Sequence, residues 1–177
     1  APAGSGSADG DKVVKIGVYE PASGDSASGG KKEKLGMQFA NSETPTEELG
    51  GETYQVELVY ADNGSSTDKA PSAASQLVSE GVSVVLGSYG SGVSIAAGPI
   101  FRDAGSPAMG VTCTNPNVTA GNDHYFRICF LDPFQGTVLA NFATEKFSAK
   151  KAYLLGEQGN EYDQGLIAVF EQAFTAA

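Results

Sequence analysis

The chain holds one histidine and two cysteines, and that scarcity removes whole classes of chemistry. With His124 alone, no two-histidine metal site can be assembled. A Ser-His-Asp triad would have to recruit a residue of the turn Gly121-Asn122-Asp123-His124, where a solvated side chain is the simpler reading. Cys113 and Cys129 lack the paired spacing of a zinc site and are too few for a disulfide scaffold; a buried packing role for Cys113 competes with a nucleophilic one. The nucleophile elbow G-x-S-x-G and the phosphate loop G-x-x-x-x-G-K-[ST] are both missing. Basic charge is short as well: Lys and Arg total 11 against 21 Asp and Glu, a formal charge of −10 that repels nucleic-acid phosphates and anionic membrane surfaces. Long apolar runs are lacking, since stretches such as Val84–Leu86 and Leu166–Phe170 are far too short to cross a bilayer.

What is present is a chain of 177 residues, 41% of them hydrophobic, enough for one α/β domain or for one domain and part of another. Ala1–Gly10 consists of small residues without a core former, as a flexible linker over 1–11 would. A tether to a membrane lipid and a frayed terminus both fit it. From there strands and helices alternate. Val13–Tyr19 reads as a strand entering a long loop, Pro21–Gly30, and a helix begins at Lys31 with Leu35, Phe39 and Ala40 on one face. A strand at Tyr54–Tyr60 is followed by a helix near Asp68 with Pro71 in its first turn. Val82–Leu86 and Ala108–Val111 are further strands, separated by a helix over Val93–Ala104. Tyr125–Phe130 reads as a fifth strand, Pro133–Phe147 as a helix capped at Asp132, and Ala152–Leu155 with Asp163–Thr175 as another strand and helix. Such alternation implies right-handed crossovers and an α/β, doubly wound, mostly parallel sheet.

Ligands of open α/β sheets sit beyond the carboxyl ends of the strands, so the loops Pro21–Gly30, Gly87–Gly92 and Thr112–Pro116 carry the candidate site. Gly87-Ser88-Tyr89-Gly90-Ser91-Gly92 runs into a helix, where free N–H groups and the positive helix end suit a carboxylate. Ser91 adds a hydroxyl there, although a plain helix-capping role explains it equally. Thr112 and Thr114 flank Cys113 and offer hydroxyls and carbonyls to an ammonium group, with capping again the competing reading. A donor-rich and an acceptor-rich loop side by side suit a zwitterion. Asp62 and Glu20, at strand ends, read as solvated turn acids.

Six segments in order carry a resemblance: Lys15-Ile-Gly-Val18, the Gly24–Gly30 loop, Leu86-Gly-Ser-Tyr-Gly-Ser91, Ala96-Ala-Gly-Pro-Ile-Phe101, Thr112-Cys-Thr-Asn-Pro116 and Phe126–Gly136. Together they resemble the branched-chain amino acid (leucine/isoleucine/valine-binding) type of periplasmic solute-binding protein of ABC importers, over nearly the whole chain. The resemblance implies a periplasmic-binding-protein type I lobe over 12–131, with 132–177 as a crossover helix and the first βα unit of an incomplete second lobe. It implies ligand contacts at Ser91, with its neighbours Tyr89 and Gly90, at the Thr112 carbonyl and at Thr114, and an aromatic lid at Tyr162. It further implies an extracytoplasmic receptor, periplasmic or lipid-anchored, that passes an amino acid to an ABC permease without a cofactor or catalysis. A ligand-sensing regulatory domain of the same fold is the alternative, and a hydrolase a distant third. One departure is the small, polar Gly24–Gly30 loop, where the family often carries an aromatic. Another is length, since the family's chains continue further. From this we expect a fragment with little ligand affinity, whose Ala152–Ala177 unit is mobile, swapped or docked on another copy.

Overall fold

In the computed structural model, which describes residues 12–176, the β-branched run forms β1 at Val13–Glu20, with its last four residues buried. The expected 1–11 linker lies outside the described residues. Five more strands follow: β2 (Thr46–Leu49), β3 (Glu52–Asp62), β4 (Val84–Leu86), β5 (Ala108–Gly110) and β6 (Tyr125–Arg127). They form one six-stranded sheet in the order β2-β3-β1-β4-β5-β6. Every pairing is parallel except that of β2 with β3. The doubly wound expectation therefore holds, and it locates the switch point: the chain leaves β1 for β3 on one side, then returns across β1 to β4 on the other. The loops at the carboxyl ends of β1 and β4 diverge there and leave a crevice.

Helix α2 (Ala70–Ser79) presents the predicted small face, with Ala70, Ala73, Ala74 and Leu77 buried. Helix α3 (Ser91–Asp103) buries Val93, Ala97 and Phe101. Between them Tyr19 meets Phe101 edge to face at 5.5 Å, and its phenol donates to the carbonyls of Ala70 (3.3 Å) and Val93 (3.1 Å). A buried hydroxyl is thus satisfied while tying both helices to β1.

Four local expectations need correction. The turn Gly50-Gly51 has φ of 63° and 85°, the two left-handed residues that a tight hairpin requires, so β2 folds back on β3 where the sequence reading saw only a polar stretch. Helix α1 (Ala27–Glu43) begins before Lys31 and takes in Gly29 and Gly30, which are its buried residues, whereas Leu35 and Phe39 stand exposed. The helix at Asp132 is shorter than expected: α4 (Asp132–Asn141) gives way to π-helical backbone over Phe142–Lys146, and Leu131, not Asp132, is its N-cap. Ala152–Leu155 forms no strand, because no neighbouring strand among the described residues takes its backbone hydrogen bonds. The expected βα unit is therefore present only as its helix, α5 (Glu161–Ala176), which packs on α4 where Gly136 leaves room: a Cβ there would lie 2.8 Å from Val169 and 3.0 Å from the Phe170 amide.

The α1 glycines can be tested against each other. A Cβ on Gly30 would sit 2.3 Å from the Pro21 carbonyl oxygen, a backbone atom that no rotamer change moves away, while one on Gly36 meets nothing within 4 Å. Alanine favours a helix over glycine by about 1 kcal/mol, and overpacking costs about 1–3 kcal/mol. Denaturant unfolding should therefore show Gly36→Ala stabilised and Gly30→Ala destabilised. A stabilised Gly30→Ala would disprove the close approach of α1.

Candidate functional site

The switch-point crevice is a cleft of about 690 Å³, and Tyr89, Gly90, Ser91, Thr112, Thr114 and Tyr162 all line it. The structure thus brings all six sequence-predicted residues to one place. Gly90 caps α3 with extended backbone and no side chain, so the first-turn N–H groups of Ser91, Gly92 and Val93 face the cleft without a helical carbonyl to bond. Ser91 is buried, and its Oγ accepts the Asn115 N–H at 3.2 Å. Its own O–H stays free to donate. Free N–H groups beside a free O–H at the positive end of a 13-residue helix are chemically suited to a carboxylate.

Beside the α3 end, and tied to it by the Ser91–Asn115 and Thr112–Tyr89 hydrogen bonds, the loop after β5 supplies acceptors. The Thr112 O–H is committed as a donor, toward Glu33 Oε1 and toward the Tyr89 carbonyl at 3.2 Å, so the Thr112 side chain and carbonyl can serve a ligand only as acceptors. Thr114 is 6% exposed and its Oγ1 has no hydrogen-bond partner among the described residues. A buried hydroxyl left unpaired in a cleft wall is costly unless a ligand or water completes it. Behind it the Asp132 carboxylate is fully buried with both oxygens lacking a hydrogen-bond partner. Burial pushes the Asp132 carboxyl above its ordinary value, against the opposing pull of Thr114 and Arg127. Thr114 therefore lies between a buried acid and the cleft.

Arg127 fixes this loop, and nothing in the sequence reading singled it out. Its guanidinium donates to the carbonyls of Cys113 (3.0 Å), Asn115 (2.9 Å) and Pro116 (3.3 Å) and to Thr119 Oγ1 (2.8 Å). Asn115 extends the brace, its Nδ2 donating to the Glu161 carbonyl at 2.8 Å at the start of α5. On that opposite wall Asn160 Oδ1 accepts from the amides of Tyr162 and Asp163 and so caps α5. Gln135 Nε2 donates to the Tyr162 phenol at 2.9 Å, which fixes the ring over the cleft. Gln135 was also missed, because its partner is far along the chain.

The loops after β1 and β3 close the remaining side. Asp62 Oδ1 accepts from the amides of Ala22 (2.7 Å), Ser23 (3.2 Å) and Gly64 (2.8 Å), and Oδ2 accepts from Ser23 Oγ (2.7 Å). Burial raises the Asp62 pKa, but these hydrogen bonds prevail and leave it below the ordinary value. Asp62 is thus a clamp that sets the Ser26 and Ser65 wall. Asp62 is exposed, as a solvated turn acid should be, but Glu20 is not one: it is 4% exposed, and its Oε2 accepts the Tyr89 amide at 2.9 Å. Its burial depends on the close seat of α1, where a Cβ on Gly29 would lie 2.5 Å from the Tyr89 ring.

The residues weighed as catalytic are not arranged for it. Cys113 is buried, and burial first of all pushes its thiol up to about 11, the reverse of activation. His124 holds Asp123 at 2.8 Å in its own turn. Among the described residues Glu157 and Glu161 line the cleft and no Lys, Arg or His does, so a negative group there would be met by amides and hydroxyls such as those at the α3 end.

A family model described as periplasmic binding protein matches residues 13–177. Among curated proteins, the chain is 30% identical over 161 residues to Leu/Ile/Val-binding protein homolog 3 of Brucella melitensis, covering 90% of this chain and 43% of that one. Among solved structures, it is similar to the leucine-binding protein LivK of Thermotoga maritima, with a TM-score of 0.87 and 35% identity over 93% of this chain and 46% of that one. It is also similar to LivJ of Streptococcus pneumoniae, a branched-chain amino acid transporter substrate-binding protein solved with isoleucine, with a TM-score of 0.82 and 32% identity over 92% of this chain and 47% of that one. The chain spans less than half the length of these relatives. With the sheet order, the switch-point cleft and a family match over nearly all of its residues, the chain belongs to the periplasmic binding protein family.

Proposed function

We propose that this chain is the gripping part of an extracytoplasmic solute-binding receptor that captures an amino acid, or a closely related zwitterion, for an ABC importer, and that it is not an enzyme. The observation that carries this reading is the adjacency of two end-group sites in one cleft, whose loops are joined by the Ser91–Asn115 and Thr112–Tyr89 hydrogen bonds. Ser91 and the α3 amides serve the carboxylate, and the Thr112 carbonyl and unpaired Thr114 hydroxyl serve the ammonium. Residues 12–131 act as the first lobe, and 132–177 carry the crossing to a second, from which Tyr162 closes on the ligand. The relatives, a Leu/Ile/Val-binding protein homolog and a substrate-binding protein solved with isoleucine, support an amino acid. The unpaired Ala152–Leu155 stretch, with Tyr153 90% and Leu155 85% exposed, supports its pairing with a further strand, of this protein or of a second copy.

A thermal-shift screen of the common amino acids, sugars and nucleotides tests the reading, because a ligand of the folded state raises the melting temperature with its concentration. At least one amino acid should stabilise the protein. Stabilisation by a sugar or nucleotide alone would overturn the assignment.

A further inference from the structure

Two carboxyl groups lie behind the cleft and are not needed for the grip just described. Glu20, at the end of β1, spends Oε2 on the Tyr89 amide, and its Oε1 is buried without a hydrogen-bond partner. Glu33, on α1, spends Oε1 on the Thr112 hydroxyl, and its Oε2 is buried without a partner. The two side chains converge on Tyr89: Glu20 accepts its amide, and the Thr112 hydroxyl that donates to Glu33 also donates to the Tyr89 carbonyl. Two buried carboxylate oxygens can satisfy one another only with a proton between them. The surroundings press the groups together: a Cβ on Gly87 would lie 2.6 Å from Glu20 Oε1, and the Gly29 contact with Tyr89 holds α1 against the same loop.

We propose that Glu20 and Glu33 share one proton and, as a pair of positioning residues, set the spacing of the Tyr89–Ser91 and Thr112–Thr114 loops. One end of the pair holds the backbone next to the carboxylate site, and the other holds the residue whose carbonyl faces the ammonium. Losing the proton places two like charges in a buried contact and drives α1 from β1, so the loops shift with it. The consequence for ligand binding rests on the function proposed above; the carboxyl pair itself does not.

The pH sense follows from the surroundings. Burial, then the hydrogen bond and charge of Glu33, push the Glu20 carboxyl well above its ordinary value, and only the Tyr89 amide opposes them. The other titratable groups that feel the pair are the phenols of Tyr19 and Tyr125, which feel Glu20, and the Cys129 thiol, which feels Glu33; each would add negative charge if ionised. A group raised in the folded state stabilises the fold fully below its unfolded value and loses that contribution as pH rises through the folded one. The bridge is thus intact in acid and neutral solution and opens in alkali.

The test is a carboxyl carbon titration of the labelled chain by NMR from about pH 5 to about pH 12, which brackets the Glu20 midpoint of about 10, following the Tyr89 amide and the Thr112 methyl in parallel. Glu20 should keep its proton at neutral pH, and the two loop signals should move with the Glu20 midpoint. In Glu20→Gln the carboxamide N–H replaces the shared proton, so the loop signals should stay at their neutral positions across the range. With leucine as the probe, affinity falls in alkali in both variants as the ligand's own ammonium loses its proton, and the ratio of wild-type to Glu20→Gln affinity should fall a further threefold or so. Titration of Glu20 alongside the exposed glutamates, or loop signals that ignore it, would overturn the proposal, whether or not leucine binds. A chain that binds no amino acid yet shows the coupled titration would sink the function reading and uphold the pair.

Discussion

Replacing Arg127 with methionine should cost the fold on the order of 2–4 kcal/mol, read as a fall in melting temperature of roughly 5–15 °C. The size follows from what the guanidinium serves: three carbonyls and one hydroxyl of the Cys113–Thr119 loop. Methionine fills much of the side chain's volume but donates nothing, so these acceptors lose a charged donor at once. Asp132 loses the nearby cation that offsets part of its burial, so its carboxyl should rise further. Thr119→Ala, which removes one of the four acceptors, should cost only about 1 kcal/mol. Equal losses in the two variants, or no loss in either, would show that the loop holds its shape without Arg127.

Arg127 also marks the limit of what the sequence discloses. The sheet was legible because β1, β3 and β4 are rich in β-branched residues and are followed by Pro, Asn or Gly. Val84–Leu86, buried between β1 and β5, is an unbroken apolar run of that kind. Ser91, Thr112 and Thr114 were legible for the same reason, since strand ends at a switch point announce themselves once the alternation is read. The misses are long-range. Gly29 and Gly30 look like loop residues, and only the contacts with Tyr89 and Pro21 show that they let a helix approach. Glu20 looks solvated until α1 covers it. The Gly50-Gly51 turn was a local hairpin signal that could have been read and was not. Gln135 and Arg127 carry no local signal, since each acts on a partner set by the fold.

The second large effect concerns Thr114, where affinity should fall much further than stability. Its Oγ1 is buried without a well-formed hydrogen bond and only eases the charge of the Asp132 carboxyl behind it, so Thr114→Val, which keeps the shape and deletes the hydroxyl, should cost the unliganded fold less than about 1 kcal/mol. The same change removes a ligand contact and should weaken amino acid binding by about 1–2 kcal/mol, roughly 5- to 30-fold. A residue that merely capped or packed would lose stability first. Ser91→Ala deletes a donor aimed at a charged carboxylate and also strands the Asn115 N–H, so it should cost more, about 1.5–3 kcal/mol of affinity, together with some stability.

The central claim, a cleft built for the two charged ends of an amino acid, is tested most directly by amide NMR with leucine and its two halves. These are 3-methylbutylamine, which lacks the carboxylate, and 4-methylpentanoate, which lacks the ammonium. Leucine should shift the Ser91–Val93 and Thr112–Asn115 amides together, the acid alone should disturb only the first group, and the amine alone only the second, each more weakly. Shifts of equal size from either half, or shifts from leucine that leave both groups untouched, would contradict it.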